Sequence, residues 1–148
     1  MENEKKKIGY TTGVFDLFHI GHLNILERAR TLCDYLIVGV STDELVQSYK
    51  KKTPAIPYEE RHAIVEAIKY VDMVVPQATR DKMEAYDKYK FDVMFVGDDW
   101  KGSETFMKVE DELKTKGSEV VYFPYTKHTS STLLISALET FIQDVKSK

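Results

Sequence analysis

Short apolar runs alternate with amphipathic stretches along most of the 148-residue chain. Continuous apolar runs of about four to eight residues are typical of strands that are covered on both faces. Residues 35–40 form such a run, and shorter or mixed strand-like segments occur at residues 8–12, 73–75, 91–96 and 119–123. Helical periodicity is found at residues 21–32, 58–70, 80–90, 103–116 and 131–145, and a short helix begins at 41–44. This alternation predicts one α/β domain over residues 1–148, with a five-stranded parallel sheet between helices and a flexible N-terminus at 1–7.

Ligands of such sheets bind beyond the carboxyl ends of the strands. The segments that follow strands are therefore the places where functional residues are expected. They are residues 13–22, 41–52, 97–102 and 124–132.

The composition narrows the class of protein without identifying it. Hydrophobic residues make up 43% and charged residues 30%, which is typical of globular proteins. A net charge of -3 argues against a general nucleic-acid binder. No apolar run reaches the roughly 20 residues of a membrane-spanning helix. Cys33 is the only cysteine, so no intramolecular disulfide is expected, and a cytoplasmic location is predicted.

Residues 13–22, GVFDLFHIGH, place His19 and His22 where the first helix begins. Gly13 allows a close turn, and Gly21 allows a ligand to approach the backbone. The free N–H groups at a helix start favour phosphate, and the histidines add donors that can carry positive charge. A zinc site needs three suitable protein ligands, and helix packing also accounts for an isolated pair. The pair alone leaves phosphate, metal and packing open.

Three further segments contain groups suited to a nucleotide. The lysines at 50–52 fall in a predicted loop over 49–57, where they could close over a triphosphate or form a solvated surface. The acids of GDDW at 97–100 could hold a sugar hydroxyl or magnesium, and Trp100 could bound a base pocket; a helix cap beside a half-buried Trp is the alternative. The hydroxyl-rich TKHTSST at 126–132 precedes the last helix and favours a second phosphate cradle.

Taken in order, these segments resemble a known family. GVFDLFHIGH at 13–22 is similar to the H-x-G-H signature of nucleotidyltransferases of the cytidylyltransferase type, and GDDW at 97–100 resembles the glycerol-3-phosphate cytidylyltransferases among them. YEER at 58–61 and KYVD at 69–72 also resemble that subfamily. Residues 126–132 fall where the family carries R-T-x-G-I-S-T.

The resemblance spans about residues 8–140 and implies a Rossmann-like, three-layer fold and a homodimer. It implies the reaction of CTP with glycerol 3-phosphate to give CDP-glycerol and pyrophosphate, with Mg²⁺ accompanying CTP. No protein ligand is assigned to that ion. The family's product feeds the synthesis of teichoic acid or surface polysaccharide. Neither nucleic acid nor membrane insertion is expected.

The resemblance also implies residue roles. His19, His22, Lys51 and Arg61 would be catalytic, the histidines by holding the CTP phosphates and Lys51 by contacting them from its loop. Lys51, Arg61, Asp72 and Lys82 would bind the acceptor. The nucleotide-binding set would be Thr12, Gly13, Val14, Phe15, Asp16, His19, Gly21, His22, Gly97, Asp99, Trp100, Thr126, Thr129, Ser130 and Ser131. Because the attacking phosphate oxygen is already anionic, positioning and electrostatic stabilisation would suffice without a strong base.

Some positions depart from the family pattern. Tyr125, His128 and Thr129 stand where the signature has Arg, Gly and Ile, and Tyr49 stands where the family often has Lys. These departures leave open a related enzyme that uses another phosphorylated alcohol or sugar, or ATP. A non-catalytic nucleotide-binding module is the alternative from a different class.

Overall fold

The computed structural model describes residues 6–124 and 130–146. Its strands are β1 (Ile8–Gly13), β2 (Tyr35–Ser41), β3 (Met73–Gln77), β4 (Val93–Gly97) and β5 (Glu119–Phe123). Its helices are α1 (Ile20–Thr31), α2 (Asp43–Lys50), α3 (Tyr58–Glu66), α4 (Lys82–Tyr89), α5 (Glu104–Thr115) and α6 (Ser131–Lys146), with a 3₁₀ turn at Asp98–Trp100. Within these ranges, no helix combines the length and apolarity that crossing a membrane requires.

The five strands form one parallel sheet in the order β3-β2-β1-β4-β5. The strand order reverses between β1 and β4, because β2 and β3 continue on one side of β1 while β4 and β5 continue on the other. A crevice opens beyond the carboxyl ends of the strands at such a reversal. The register brings Gly13 beside Val40, and Val40 beside Pro76, so the ends of β1, β2 and β3 share one edge.

Each face of the sheet has its own apolar core. Leu36 and Val38 point to a cluster that includes Leu26 of α1 and Val65 of α3. Ile37 points to the opposite cluster, which is covered by α4 and α5. Successive residues of a strand face opposite ways, which explains why the apolar run at 35–40 is continuous rather than alternating. The structure therefore confirms the predicted three-layer, Rossmann-like architecture.

Several predicted boundaries were wrong, including the end of β3, which runs on to Gln77, and the ends of α3 and α2. Helix α3 ends at Glu66 rather than at residue 70, because the N–H of Ala67 bonds back to the helix and Ile68 and Val71 continue in tight turns. Helix α2 runs on to Lys50, so residues 49 and 50 are helical rather than part of the loop. The Thr42 side chain caps α2 by accepting from the N–H of Leu45 at 3.1 Å.

Candidate active site

A cavity of about 690 Å³ lies beyond the carboxyl ends of β1 to β4. It follows from the strand-order reversal, since helices leave the sheet in both directions on either side of β1. The cavity is lined by Thr11, Thr12, Gly13, Val14, Phe15, His22, Ile25, Ser41, Tyr49, Gln77, Arg80, Lys82, Met94, Phe95, Val96, Gly97, Trp100, Thr105, Phe106 and Val109.

The two histidines cap the first helix together. His19 Nδ1 accepts from the N–H of Gly21 at 3.0 Å, and His22 Nδ1 accepts from the N–H of His19 at 3.2 Å. Their rings stack with centroids 3.9 Å apart. Because each Nδ1 is an acceptor, the neutral rings carry their protons on Nε2. Both rings therefore keep one N–H donor. His22 lines the cavity, whereas His19 is not among the residues that line it.

The two histidine rings are neutral at neutral pH, whereas the sequence suggested that they could carry positive charge. Burial and, to a smaller extent, the neighbouring His19 together lower the pKa of His22 to about 3. Burial also lowers the pKa of His19. At neutral pH the pair therefore consists of neutral donors and not of cations. A protonated Nδ1 would also face a backbone N–H, which opposes the charged form.

The turn between β1 and α1 is held by strained backbone and one buried acid. Phe15 and Leu17 have positive φ values of 55° and 48°. Both carboxylate oxygens of Asp16 accept backbone N–H groups, from Ala55 at 2.8 Å and Ile56 at 2.9 Å. Asp16 is 5% exposed and does not line the cavity. Its predicted nucleotide contact is thus corrected to a structural role, because both oxygens are used in anchoring the loop before α3.

Arg61 is also structural in this fold. Its side chain is fully buried, and its Nη1 donates to the carbonyls of Val14 and Ser41 at 2.8 and 2.7 Å. Nε donates to the Ile56 carbonyl at 2.8 Å, and Nη2 pairs with Asp43. All three guanidinium nitrogens are therefore engaged by the protein. Arg61 positions the cavity wall at Val14, and the prediction that it is catalytic and binds the acceptor is corrected.

Asp72 lies at the far end of the sheet from the cavity. It directly precedes β3, accepts from the N–H of Leu36 at 2.8 Å and pairs with Arg30 at 3.5 Å. Since all strands run in parallel, this position is at their amino ends. The predicted acceptor contact is corrected accordingly. Lys51 directly follows α2 as its C-cap, with a φ of 59°, is exposed, and is not among the residues that line the cavity.

The side of the cavity near β2 and β3 is cationic and polar. Lys82 Nζ donates to the Thr12 hydroxyl at 3.3 Å. Burial and then the charge of Arg80 lower the pKa of Lys82 to about 8. Ser41 donates to Gln77 Oε1 at 2.8 Å beneath them. The predicted residue Lys82 is thus in the cavity, at its anion-suited side.

The opposite side, after β4, is aromatic and apolar. Gly97 and Trp100, which the sequence predicts to bind the nucleotide, both line the cavity. Trp100 is 43% exposed and its ring lies 5.5 Å from that of Phe106. The backbone of Asp99, which the sequence predicts to bind the nucleotide, belongs to the 3₁₀ turn. Its side chain is outside the part of the protein that the structure describes. Val109 of α5 extends this apolar wall.

The start of α6 lies against the turn after β1. The Ser131 hydroxyl donates to the Asp16 carbonyl, and Ser130 Oγ accepts from the N–H of Leu133 at 3.1 Å. Two helix N-termini, of α1 and α6, are therefore brought to the same turn, which suits a polyphosphate. Thr126 and Thr129, predicted to bind the nucleotide, lie outside the described residues.

Some cavity residues were not assigned a role from the sequence. Ser41 and Gln77 end β2 and β3, and Thr105 begins α5. The signal was available for Gln77, since it comes two residues after an apolar segment whose carboxyl end shares the cavity edge. No signal pointed to Thr105. Over residues 6–124 and 130–146, no three His, Cys, Asp or Glu side chains are grouped so as to hold a metal ion.

The sheet is Rossmann-like, and its cavity lies between a helix start that is capped by histidines, an aromatic wall and a cationic wall. This combination defines the nucleotidyltransferase class of enzymes. Residues 10–140 match the model of the cytidylyltransferase-like family, and the chain belongs to this family.

Comparison with individual proteins gives the same result. The chain is 43% identical over 129 residues to glycerol-3-phosphate cytidylyltransferase of Bacillus spizizenii, covering 86% of this chain and 92% of that protein. It is 35% identical over 153 aligned positions to FAD synthase of Thermococcus kodakarensis, covering 97% and 100%. A lipopolysaccharide core biosynthesis protein from Thermoplasma volcanium has a similar structure, with a TM-score of 0.69, 26% identity, and coverage of 84% and 100%.

Proposed function

We propose that this protein transfers the cytidylyl group of CTP to glycerol 3-phosphate, giving CDP-glycerol and pyrophosphate. The observation that carries this proposal is the division of the cavity into three parts. Trp100 and the apolar wall suit a base, His22 at the start of α1, which stacks on His19, suits phosphates, and Lys82 with Arg80 suits an anionic acceptor. The name of the Bacillus relative supports the choice of nucleotide and acceptor.

In this reaction a phosphate oxygen of glycerol 3-phosphate attacks the α-phosphorus of CTP. The bond from that phosphorus to the β-phosphate oxygen breaks, and pyrophosphate leaves with the electron pair. The attacking oxygen is anionic before the reaction, so no base has to remove a proton. The neutral histidines fit this chemistry, because Nε2–H donors stabilise the charge that develops on the phosphates without taking part in proton transfer.

Further contacts complete the phosphate site in this proposal. Lys51, carried by the exposed end of α2, contacts the phosphates from its loop. Ser130 and Ser131 begin α6 beside the turn after β1, and with Thr126 and Thr129 they would cradle the β- and γ-phosphates. Helix N-termini favour such anions through their free N–H groups and dipole.

Magnesium enters this proposal with the nucleotide. No carboxylate of the described side chains lines the cavity, so these residues do not form a protein cage for the ion. Mg²⁺ commonly retains waters and binds through substrate phosphates, and here it would supply charge neutralisation on CTP. Omitting Mg²⁺ while holding CTP constant is expected to abolish pyrophosphate release.

The homodimer is proposed from helix α6. Leu138, Phe141, Ile142 and Val145 share one face of α6, and each side chain is at least half exposed in the single chain. A second copy of the chain would cover this apolar face.

The CDP-glycerol formed in the proposed reaction would be consumed by glycerophosphate transfer into teichoic acid or a surface polysaccharide.

The decisive experiment measures pyrophosphate release with each nucleotide and acceptor. CTP with glycerol 3-phosphate and Mg²⁺ is expected to give turnover, and ATP in place of CTP is not. Turnover with ATP but not with CTP would favour the alternative of an ATP-dependent nucleotidyltransferase, which the FAD synthase relative suggests. CTP binding without pyrophosphate release with any phosphorylated alcohol or sugar would indicate a non-catalytic module.

A further inference from the structure

Two cations line the cavity without a matching acid. Among the side chains that the structure describes, Arg80 and Lys82 are the only Lys or Arg that line it, and no Asp or Glu does. Neither cation forms an ion pair within the described residues. Neighbouring like charges repel, and the pKa of Lys82 is lowered as a result of burial and of Arg80. A bound anion would relieve this cost, so the pair is arranged for an anionic ligand.

Arg80 is held in place by an aromatic ring. Its guanidinium carbon lies 4.6 Å from the centroid of the Tyr49 ring. Tyr49 belongs to α2, whereas Arg80 lies between β3 and α4, so the contact joins the two segments that follow β2 and β3. A guanidinium that stacks on a ring keeps its N–H donors at its edge, where they can bind two oxygens of a phosphate.

The floor of the same region is suited to hydroxyl groups. Gln77 is 9% exposed and accepts from the Ser41 hydroxyl through Oε1. Its amide nitrogen has no partner among the described residues and can donate to a ligand oxygen. The aromatic wall with Trp100 lies across the cavity, after β4. A phosphorylated polyol therefore matches the β2–β3 side, and a nucleobase matches the β4 side.

We propose that Arg80, held against the ring of Tyr49, binds the phosphate group of the acceptor and selects phosphorylated acceptors. The inference rests on the proposed function, since it concerns the acceptor of that reaction. Arg80 and Lys82 bind the non-attacking oxygens of the phosphate, which leaves the remaining oxygen free to attack CTP. Tyr49 is a positioning residue that acts through Arg80.

The test measures initial rates with either glycerol 3-phosphate or CTP varied. Arg80→Ala is expected to raise KM for glycerol 3-phosphate about tenfold or more, since a hydrogen-bonded charge pair is lost, with KM for CTP within about twofold. Tyr49→Leu is expected to raise KM for the acceptor about two- to fivefold. Tyr49→Phe keeps the ring and should raise KM for the acceptor less than Tyr49→Leu does, and Arg80→Lys should partly restore affinity.

Lys88→Ala is the matched control, because Lys88 also lies over a tyrosine ring, that of Tyr89, but outside the cavity. It should leave both KM values unchanged. Equal increases of both KM values in Arg80→Ala, or none, would overturn the proposal. So would identical behaviour of Tyr49→Phe and Tyr49→Leu.

A second measurement separates this proposal from the proposed function. If wild type gives no pyrophosphate with CTP and glycerol 3-phosphate, the proposed function fails by itself. Binding of glycerol 3-phosphate and of inorganic phosphate to wild type and Arg80→Ala is then compared by calorimetry. Weaker binding of both ligands to Arg80→Ala supports the anion site, and equal binding rejects it.

Discussion

His22 Nδ1 accepts the backbone N–H of His19 at 3.2 Å, while His19 Nδ1 accepts that of Gly21. The pair thus caps α1 through Nδ1 and leaves Nε2 for a ligand. His19→Asn retains a good helix cap but removes the Nε2 donor. We expect pyrophosphate release to fall about 100- to 1,000-fold, as for loss of one charge-stabilising donor. The unfolding free energy should change by less than about 0.5 kcal/mol.

Steady-state rates and urea unfolding of His19→Asn and His19→Ala check this separation. The Ala variant loses the cap as well, so it should be less stable by about 1 kcal/mol while being equally inactive. An active Asn variant would show that the ring acts only as a cap.

The low pKa of His22 makes the fold sensitive to acid. Its folded pKa of about 3 lies below the ordinary value of 6.5, so the unfolded chain binds the proton first as pH falls. The stabilising contribution is complete above pH 6.5 and decreases between 6.5 and 3. Each pH unit in that window costs up to about 1.4 kcal/mol, so wild type should lose up to about 2 kcal/mol from this group by pH 5.

Urea unfolding of wild type and His22→Gln between pH 5 and 8 measures this contribution. Glutamine does not titrate, so the difference in unfolding free energy between the two proteins should narrow towards pH 5. Parallel curves across the whole range would show that His22 is not the titrating group.

Arg61 holds three carbonyl groups and Asp43 in the interior. Arg61→Met fills similar space but leaves these groups unpaired. We expect the unfolding free energy to fall by about 3 kcal/mol, which is the lower end of the range for removing one partner of a buried ion pair. Arg28→Met, at an exposed position of α1, should change stability by less than about 0.5 kcal/mol. Equal stabilities of the two variants would contradict the structural role of Arg61.

The sequence predicted what depends on local pattern. The apolar run at 35–40 marked β2, and the segment with His19 and His22 marked the start of α1 beside the cavity. The end of α2 was missed because a lysine run looks like a loop, whereas Leu45 and Val46 bury one face of the helix and stabilise it through Lys50.

Contacts between distant segments were not predictable in this way. Arg61 bonds to Val14, 47 positions away, and Asp72 bonds to Leu36, 36 positions away. A charged residue in a sequence is expected to be exposed or to bind a ligand unless its partners are known. Those partners come together only once the sheet has formed. The family resemblance alone implied that Arg61, Asp72 and Asp16 bind ligands.

Lys82 should make acceptor binding depend on pH. Its pKa of about 8 means that it is charged at neutral pH and loses the proton as pH rises through 8. Loss of that charge weakens the attraction for the acceptor phosphate, so KM for glycerol 3-phosphate should rise above pH 8. Lys82→Arg keeps its charge in this range and should show a flat profile. A rise of KM in both proteins would assign the titration to another group.

The apolar face of α6 predicts how the chain associates. Phe141 is 65% exposed in the single chain and lies between Leu138 and Val145 on one face of the helix. Phe141→Glu places a charge in the centre of this face, so the proposed homodimer should not form in this variant, while the monomer keeps its stability within about 0.5 kcal/mol. Thr140→Glu adds the same charge on the opposite face and should remain dimeric. Light scattering after gel filtration measures both masses. A monomeric wild type, or a dimeric Phe141→Glu protein, would show that α6 is not the interface.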